Sequence, residues 1–353
     1  MRLTSLTSLR FFAAAGVFLH HCEFYGNTKS PFLIWLQKVL FEGFVGVNFF
    51  YILSGFIIAY SYEQHKKHGT YKISDFFYNR FARLYPVHFL TLLIAIVAYI
   101  PFQYFNQIHT SQLIANIFLV QSAFTNPQYY FNFNGVSWSV STEMFFYVAF
   151  VFLVTLTTKQ LIVIGTTVLS VIIFHILDVP HSGQFTGWLF YINPIFRIID
   201  FITGMLLCRI FMSGKVRIEG TKASLLEFCS TVLTVLFVVY GYEHISMLWR
   251  YDIYYIIPMA LMVFVFAFGN GFISKILSNK TLVLFGDSSF SLYMIHQILI
   301  HVAFKWFPVN IDSGKQVLLF MLIVMMIGVG ISCVLYKLYE HPINAYLRKR
   351  RFG

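Results

Sequence analysis

Charge is what this sequence has least of. Only 11% of its 353 residues are Asp, Glu, Lys or Arg, against about 25% in an ordinary soluble domain, which excludes a water-soluble globular chain. Cysteine is scarce as well. Cys22, Cys208, Cys229 and Cys333 are scattered through apolar segments with no CxxC spacing, so neither a disulfide framework nor a zinc site is supported. No GxSxG, P-loop or GxGxxG pattern occurs, which removes the common signatures of serine hydrolases and nucleotide-binding folds. Long polar linkers and internal repeats are missing too, so residues 1–353 read as one domain.

What the chain has is apolar sequence, 58% of it hydrophobic. Apolar runs cover residues 7–24, 39–60, 84–100, 137–158, 161–176, 189–208, 225–242, 254–272, 282–304 and 317–336. A membrane-crossing helix needs about 20 such residues. These runs therefore predict an all-α polytopic membrane protein with ten transmembrane helices. A further run at residues 113–124 is too short to cross and reads as a re-entrant or interfacial segment. The first run resembles a signal-peptide core, but it passes into His20-His21-Cys22-Glu23 instead of a small-residue cleavage site. It reads as a retained first helix.

The cations support this count. With both termini on the cytoplasmic side, 18 of the 25 Lys and Arg fall in inside segments and five outside, while Arg10 and Arg197 lie within spans. That asymmetry obeys the positive-inside rule. The net charge of +11 thus reports topology and contact with anionic membrane lipids, and no nucleic-acid partner is expected.

Ionisable groups inside such runs are expensive and normally face a protein interior or a wet cavity. Arg10 and His21 are eleven residues apart. At ~100° per residue they share one helix face, separated by ~16 Å along the axis. Capping and snorkelling explain either residue alone, but less well the shared face. Arg80 and Arg83, three apart, project together just before Pro86. They suit bidentate phosphate recognition, or else an ordinary positive-inside flank. Glu143 lies in a helix without Lys or Arg and needs a partner from another helix, either as a structural ion pair or to orient or act as a base. Arg197 and Asp200, at i and i+3, favour local pairing. His296 and Glu340 stand near helix ends. Cys22 next to His21 is discounted as a nucleophile, because neighbouring helical side chains point ~100° apart.

Six stretches in order resemble the acyltransferase-3 family of bacterial integral-membrane acyltransferases, over nearly the whole chain. They are Arg10-x10-His21, the glycine-aromatic-SGF segment GFVGVNFFYILSGFII, NRFARLYP, SWSVSTEMFFY with Trp138 and Glu143, FGDSSFSLYMIH ending at His296, and YEHP containing Glu340. Two departures remove negative charge: Asn48 stands where the family often has Asp, and Met144 follows Glu143 where a second acid is frequent. The chain ends at Gly353 just after the last run, so the extracytoplasmic esterase-like domain fused to some members is not expected.

The resemblance implies transfer of an acyl group, most often acetyl, from cytoplasmic acyl-coenzyme A to a hydroxyl of a cell-surface or lipid-linked carbohydrate, in the bacterial cytoplasmic (inner) membrane and without a metal. Arg10, Arg80 and Arg83 are then expected to hold the donor. His21 is expected to take the acceptor proton or carry the acyl group, with Glu143 orienting it. Trp138, Arg197, His296 and Glu340 are candidate substrate-binding or structural polar residues. The competing readings are a glycan transporter without bond chemistry, which intramembrane Arg, His and Glu also fit, and the same chemistry on a non-carbohydrate acceptor.

Overall fold

The computed structural model describes residues 3–22, 28, 30–99, 109–178 and 184–352, and these contain helices and turns but no strand. In chain order the helices are α1 (Thr4–His20), α2 (Pro31–Phe41), α3 (Gly46–Lys67, entered through a 3-10 turn at Glu42–Val45), α4 (Ile73–Tyr99), α5 (Thr110–Ile117), α6 (Pro127–Tyr130), α7 (Trp138–Leu153), α8 (Thr158–Asp178) and α9 (Gln184–Gly187). They continue as α10 (Pro194–Met212), α11 (Gly220–His244), α12 (Met247–Arg250), α13 (Ile253–Phe268), α14 (Phe272–Leu277), α15 (Lys280–Asp287), α16 (Ser289–Trp306), α17 (Gly314–Leu335) and α18 (His341–Phe352).

Helix α1 runs through the middle of the bundle, against α3, α15, α16 and the 3-10 turn before α3. Its first turns are pinned by two buried hydroxyls. Ser5 Oγ donates to the Phe266 carbonyl at 2.7 Å and Ser8 Oγ to the Leu277 carbonyl at 2.5 Å. Each such bond contributes on the order of 1 kcal/mol. Helices α3 and α10 form the most extensive pairing, and small residues allow it. The Cα of Gly55 faces the Phe201 carbonyl and that of Gly204 faces the Ile52 carbonyl, so that a Cβ at either place would run into backbone. With lipid outside, close van der Waals contact replaces the hydrophobic drive between helices.

Among the described residues, seven helical stretches are long and apolar enough to cross a membrane, and an eighth if the bent pair α15–α16 is one span. The ten expected from the sequence add α1, which has 17 residues, and α10, which carries Arg197, Asp200 and Arg209. The short run at residues 113–124 forms the eight-residue α5 and a 3-10 turn at Gln121–Ala123, too short to cross ~30 Å of hydrocarbon. It folds back on α7, with Gln121 Nε2 donating to the Ser137 carbonyl at 3.2 Å and Ser122 Oγ 2.8 Å from Ser141 Oγ.

Three of the differences between element boundaries and the sequence expectation bear on the site. Helix α4 starts at Ile73 instead of near Leu84, and Pro86 lies inside it. Proline there leaves the Ala82 carbonyl without its helical N–H, yet the packing of α4 on α16, α18 and α7 holds the helix together. The run at residues 282–304 is two helices meeting at 62°. Ser288 and Ser289 sit at the bend, their hydroxyls bonded to the Phe285 and Gly286 carbonyls at 3.2 and 2.7 Å. Thirdly, α3 continues to Lys67, with His65, Lys66 and Lys67 in its last turn, where cations complement the helix dipole. The expected ends at Phe24 and Ile100, and the cations Arg2 and Lys29, lie outside the described residues.

Candidate active site

Two cavities meet in the middle of the bundle. The first, about 470 Å³, is lined by Arg10 from α1, Ser54 from α3, Arg80 and Arg83 from α4, Glu143 from α7 and Tyr293 from α16. The second, about 420 Å³, is lined by His20 and His21 at the end of α1, Trp138 from α7, Tyr191, and Gln297 and His301 from α16. Val47 and Tyr293 line both, so these two side chains form the partition. Tyr293 is held in place by its hydroxyl, 2.7 Å from Ser139 Oγ.

The first cavity is cationic. Among the described residues, Arg10, Arg80 and Arg83 form no ion pair. Arg80 lies over the Phe76 and Tyr147 rings, 5.9 Å from each centroid, and its buried Nε has no hydrogen-bond partner. Three carboxylates, Glu340, Glu143 and Asp287, lie within electrostatic reach of Arg10. Glu143 Oε1 accepts from Ser54 Oγ at 2.7 Å and Tyr147 OH at 2.6 Å. Glu340, in the π turn Tyr336–Glu340 that follows α17, accepts from Ser291 Oγ at 2.6 Å. Three guanidinium groups around one cavity, without ion-pair partners among the described residues, have the chemistry that suits an anion.

At the second cavity His21 pairs with His296, which is fully buried and stands behind the lining. His296 Nδ1 is 2.5 Å from the Tyr293 carbonyl, which only accepts, so the ring carries its proton there. Its Nε2 is then a lone pair, 3.1 Å from His21 Nδ1. His21 Nδ1 also faces the Val17 carbonyl at 2.9 Å. Both neighbours accept, which puts the His21 proton on Nδ1 and leaves its Nε2 lone pair without a partner among the described residues. This tautomer assignment follows from the hydrogen-bond chain of the neutral pair. His20 Nδ1 lies 2.6 Å from the Phe41 carbonyl, and its ring packs edge-on against those of His21, Phe41 and Phe44.

The family described as "Acyltransferase domain" matches residues 3–337. The chain belongs to that acyltransferase family. Acyltransferase MdmB of Streptomyces mycarofaciens is 27% identical, over 99% of this chain and 94% of its own length. Peptidoglycan O-acetyltransferase OatA of Listeria monocytogenes is 24% identical over 84% of this chain, and there the match spans about half, 49%, of the relative. No solved structure matches.

The acyltransferase brings together Arg10, Arg80, Arg83 and Glu143 as one group, and His21, Trp138 and His296 as another. It does not bring Glu143 to His21. The expected carboxylate that orients His21 is replaced by a second imidazole. The reason is the packing of α7, whose Glu143 turns toward Ser54 of α3, while α16 presents His296 to the end of α1. Arg197 and Asp200 pair locally at 2.7 Å with both side chains fully buried. The guanidinium of Arg197 lies over the ring of Tyr51, which lines the first cavity, at 5.1 Å and over that of Tyr191, which lines the second, at 5.8 Å. Asn48 donates to the Asp252 carbonyl at 3.3 Å, and Met144 packs on the main core. Cys22 is buried, its Sγ against the Phe18 carbonyl at 3.6 Å.

Tyr293 and Ser54 were not among the expected site residues, and Tyr147 entered only as the last residue of SWSVSTEMFFY. The two tyrosines carried a readable signal: Tyr293 is three residues before His296 and Tyr147 four after Glu143, both on shared helix faces.

Proposed function

We propose that this acyltransferase moves an acyl group, acetyl first among candidates, from acyl-coenzyme A to a carbohydrate hydroxyl within the bacterial cytoplasmic membrane. In this reading both termini and the arginine cavity face the cytoplasm, and the acceptor, free or lipid-linked, enters from the histidine side. The observation that carries the reading is the opposition of an anion-binding cavity and a histidine-bearing cavity across one shared wall, Val47 and Tyr293. The peptidoglycan O-acetyltransferase among the relatives supports a carbohydrate acceptor.

Arg80 and Arg83 take the donor's diphosphate, and Arg10 lies further along the path of the thioester arm toward the partition. On the other side His21 Nε2 accepts the acceptor's hydroxyl proton as that oxygen attacks the thioester carbon. The C–O bond forms, the C–S bond breaks, and the proton passes from His21 to the departing thiolate. His296 is a positioning residue, since its lone pair keeps the His21 proton on Nδ1 and so frees Nε2. Glu143 is assigned to the donor side, where it positions Arg10.

The test is direct. Purified protein in liposomes, supplied with acetyl-labelled acetyl-coenzyme A and saccharide acceptors, is expected to form an alkali-labile ester on the saccharide. Passage of unmodified glycan with no ester formed would make the protein a transporter. Ester formed only on acceptors of another class would overturn the carbohydrate part.

A further inference from the structure

A third cavity, about 440 Å³, opens beside the arginine cavity and shares Ile58, Ser61 and Arg80 with it. Its own lining includes Lys72, ahead of α4, and Arg348 of α18, together with Tyr62, Tyr71 and Asn79. Neither Lys72 nor Arg348 has an ion-pair partner among the described residues. The acid in this wall, Asp75, is already engaged by Arg351 Nε at 3.4 Å. Tyr62 and Tyr71 stand edge to face with centroids 4.6 Å apart, and the buried Tyr71 hydroxyl has no hydrogen-bond partner.

Resting on the donor assignment above, we propose that this third cavity holds the nucleotide end of the donor, with Lys72 and Arg348 on its 3′-phosphate and the Tyr62–Tyr71 pair against its base. The order of groups along the donor makes the placement. A coenzyme A thioester runs from base and 3′-phosphate through the diphosphate to the arm and the acyl group. Arg80 lines both cavities, so a diphosphate held there divides the molecule at their junction. The arm then lies in the cavity that ends at Tyr293, and the nucleotide lies in the other. Two unpaired cations match one dianionic phosphate ester, and aromatic faces with an unpaired hydroxyl and the Asn79 amide match a purine. The same cations would also attract lipid headgroup phosphates, and the experiment separates the two.

Binding of coenzyme A and of 3′-dephospho-coenzyme A to the full-length protein is measured by calorimetry in a neutral detergent free of anionic lipid. The native protein is expected to bind coenzyme A about tenfold or more tightly than the dephospho form, the scale of one charge-assisted contact. The double variant Lys72→Gln, Arg348→Gln is expected to bind coenzyme A at the dephospho level while its affinity for the dephospho form is unchanged, which also shows that it is folded. Equal affinity of the native protein for both ligands would overturn the subsite while leaving the donor reading standing. So would a double variant that loses both equally, or one that loses neither and is altered only in binding to anionic vesicles. Absence of binding by either ligand would overturn the donor reading itself.

Discussion

His21 Nδ1 lies 3.1 Å from His296 Nε2, one ring at the end of α1 and the other on α16. With His296 donating to the Tyr293 carbonyl at 2.5 Å, the pair forms a relay anchored on backbone. Its outer end is an imidazole nitrogen with a lone pair. The same residue that anchors the relay, Tyr293, also stands between the arginine cavity and the histidine cavity. In the proposed mechanism, acid–base chemistry and the route of the acyl group are therefore built around one helix.

Replacing His21 by alanine is expected to lower transfer to the saccharide by about 10²–10⁴-fold, the usual contribution of a positioned base. Donor binding and membrane insertion should stay at native levels, because His21 is not in the arginine cavity. Full transfer by this variant, measured on labelled acetyl-coenzyme A, would remove the residue from the mechanism.

The variant His296→Phe keeps an aromatic ring but takes away the lone pair that faces His21. Transfer should fall about 10-fold or more with little change in the KM for donor, as found when the partner orienting an active imidazole is lost. The His296→Gln variant, whose amide oxygen can accept from His21 Nδ1, should recover part of that loss. Equal activity in the two variants would reduce His296 to packing.

Glu143→Gln distinguishes the two addresses considered for that carboxylate. Held at 2.7 and 2.6 Å by Ser54 and Tyr147, it is expected to alter the donor KM by severalfold and leave the pH profile of kcat as in the native enzyme. Paired removal of Arg80 and Arg83 to alanine should weaken coenzyme A binding by about 10²-fold, each charge-assisted contact contributing roughly 1.5–3 kcal/mol. A shifted kcat profile in Glu143→Gln would restore it as a partner of the histidines.

Gly204→Ala tests the contact that sets the spacing of α3 and α10. The added methyl would meet the Ile52 carbonyl and the Phe56 nitrogen, backbone atoms that cannot swing aside. Overpacking of this kind destabilises by about 1–3 kcal/mol. A lowered melting temperature of the detergent-solubilised protein is expected, whereas an unchanged one would show that the pair can separate without loss.

The amino-acid sequence by itself determined the helical membrane architecture and singled out the ionisable residues that line its cavities. The reason is energetic. Lipid forces the backbone to bond within each span, so long apolar runs can only be helices, and a charge that survives among them marks a wet or protein-lined place. The shared face of Arg10 and His21 needed nothing beyond helical periodicity. Which residues confront each other across helices was decided only by the tertiary structure. Periodicity orients a side chain about its own axis but says nothing of the neighbour it meets. The close contact of Gly55 and Gly204, the bend at Ser288 and the turn of Glu143 toward Ser54 are packing outcomes. Together they gave His21 a histidine for a partner, left Glu143 with the arginines, and set Tyr293 between them.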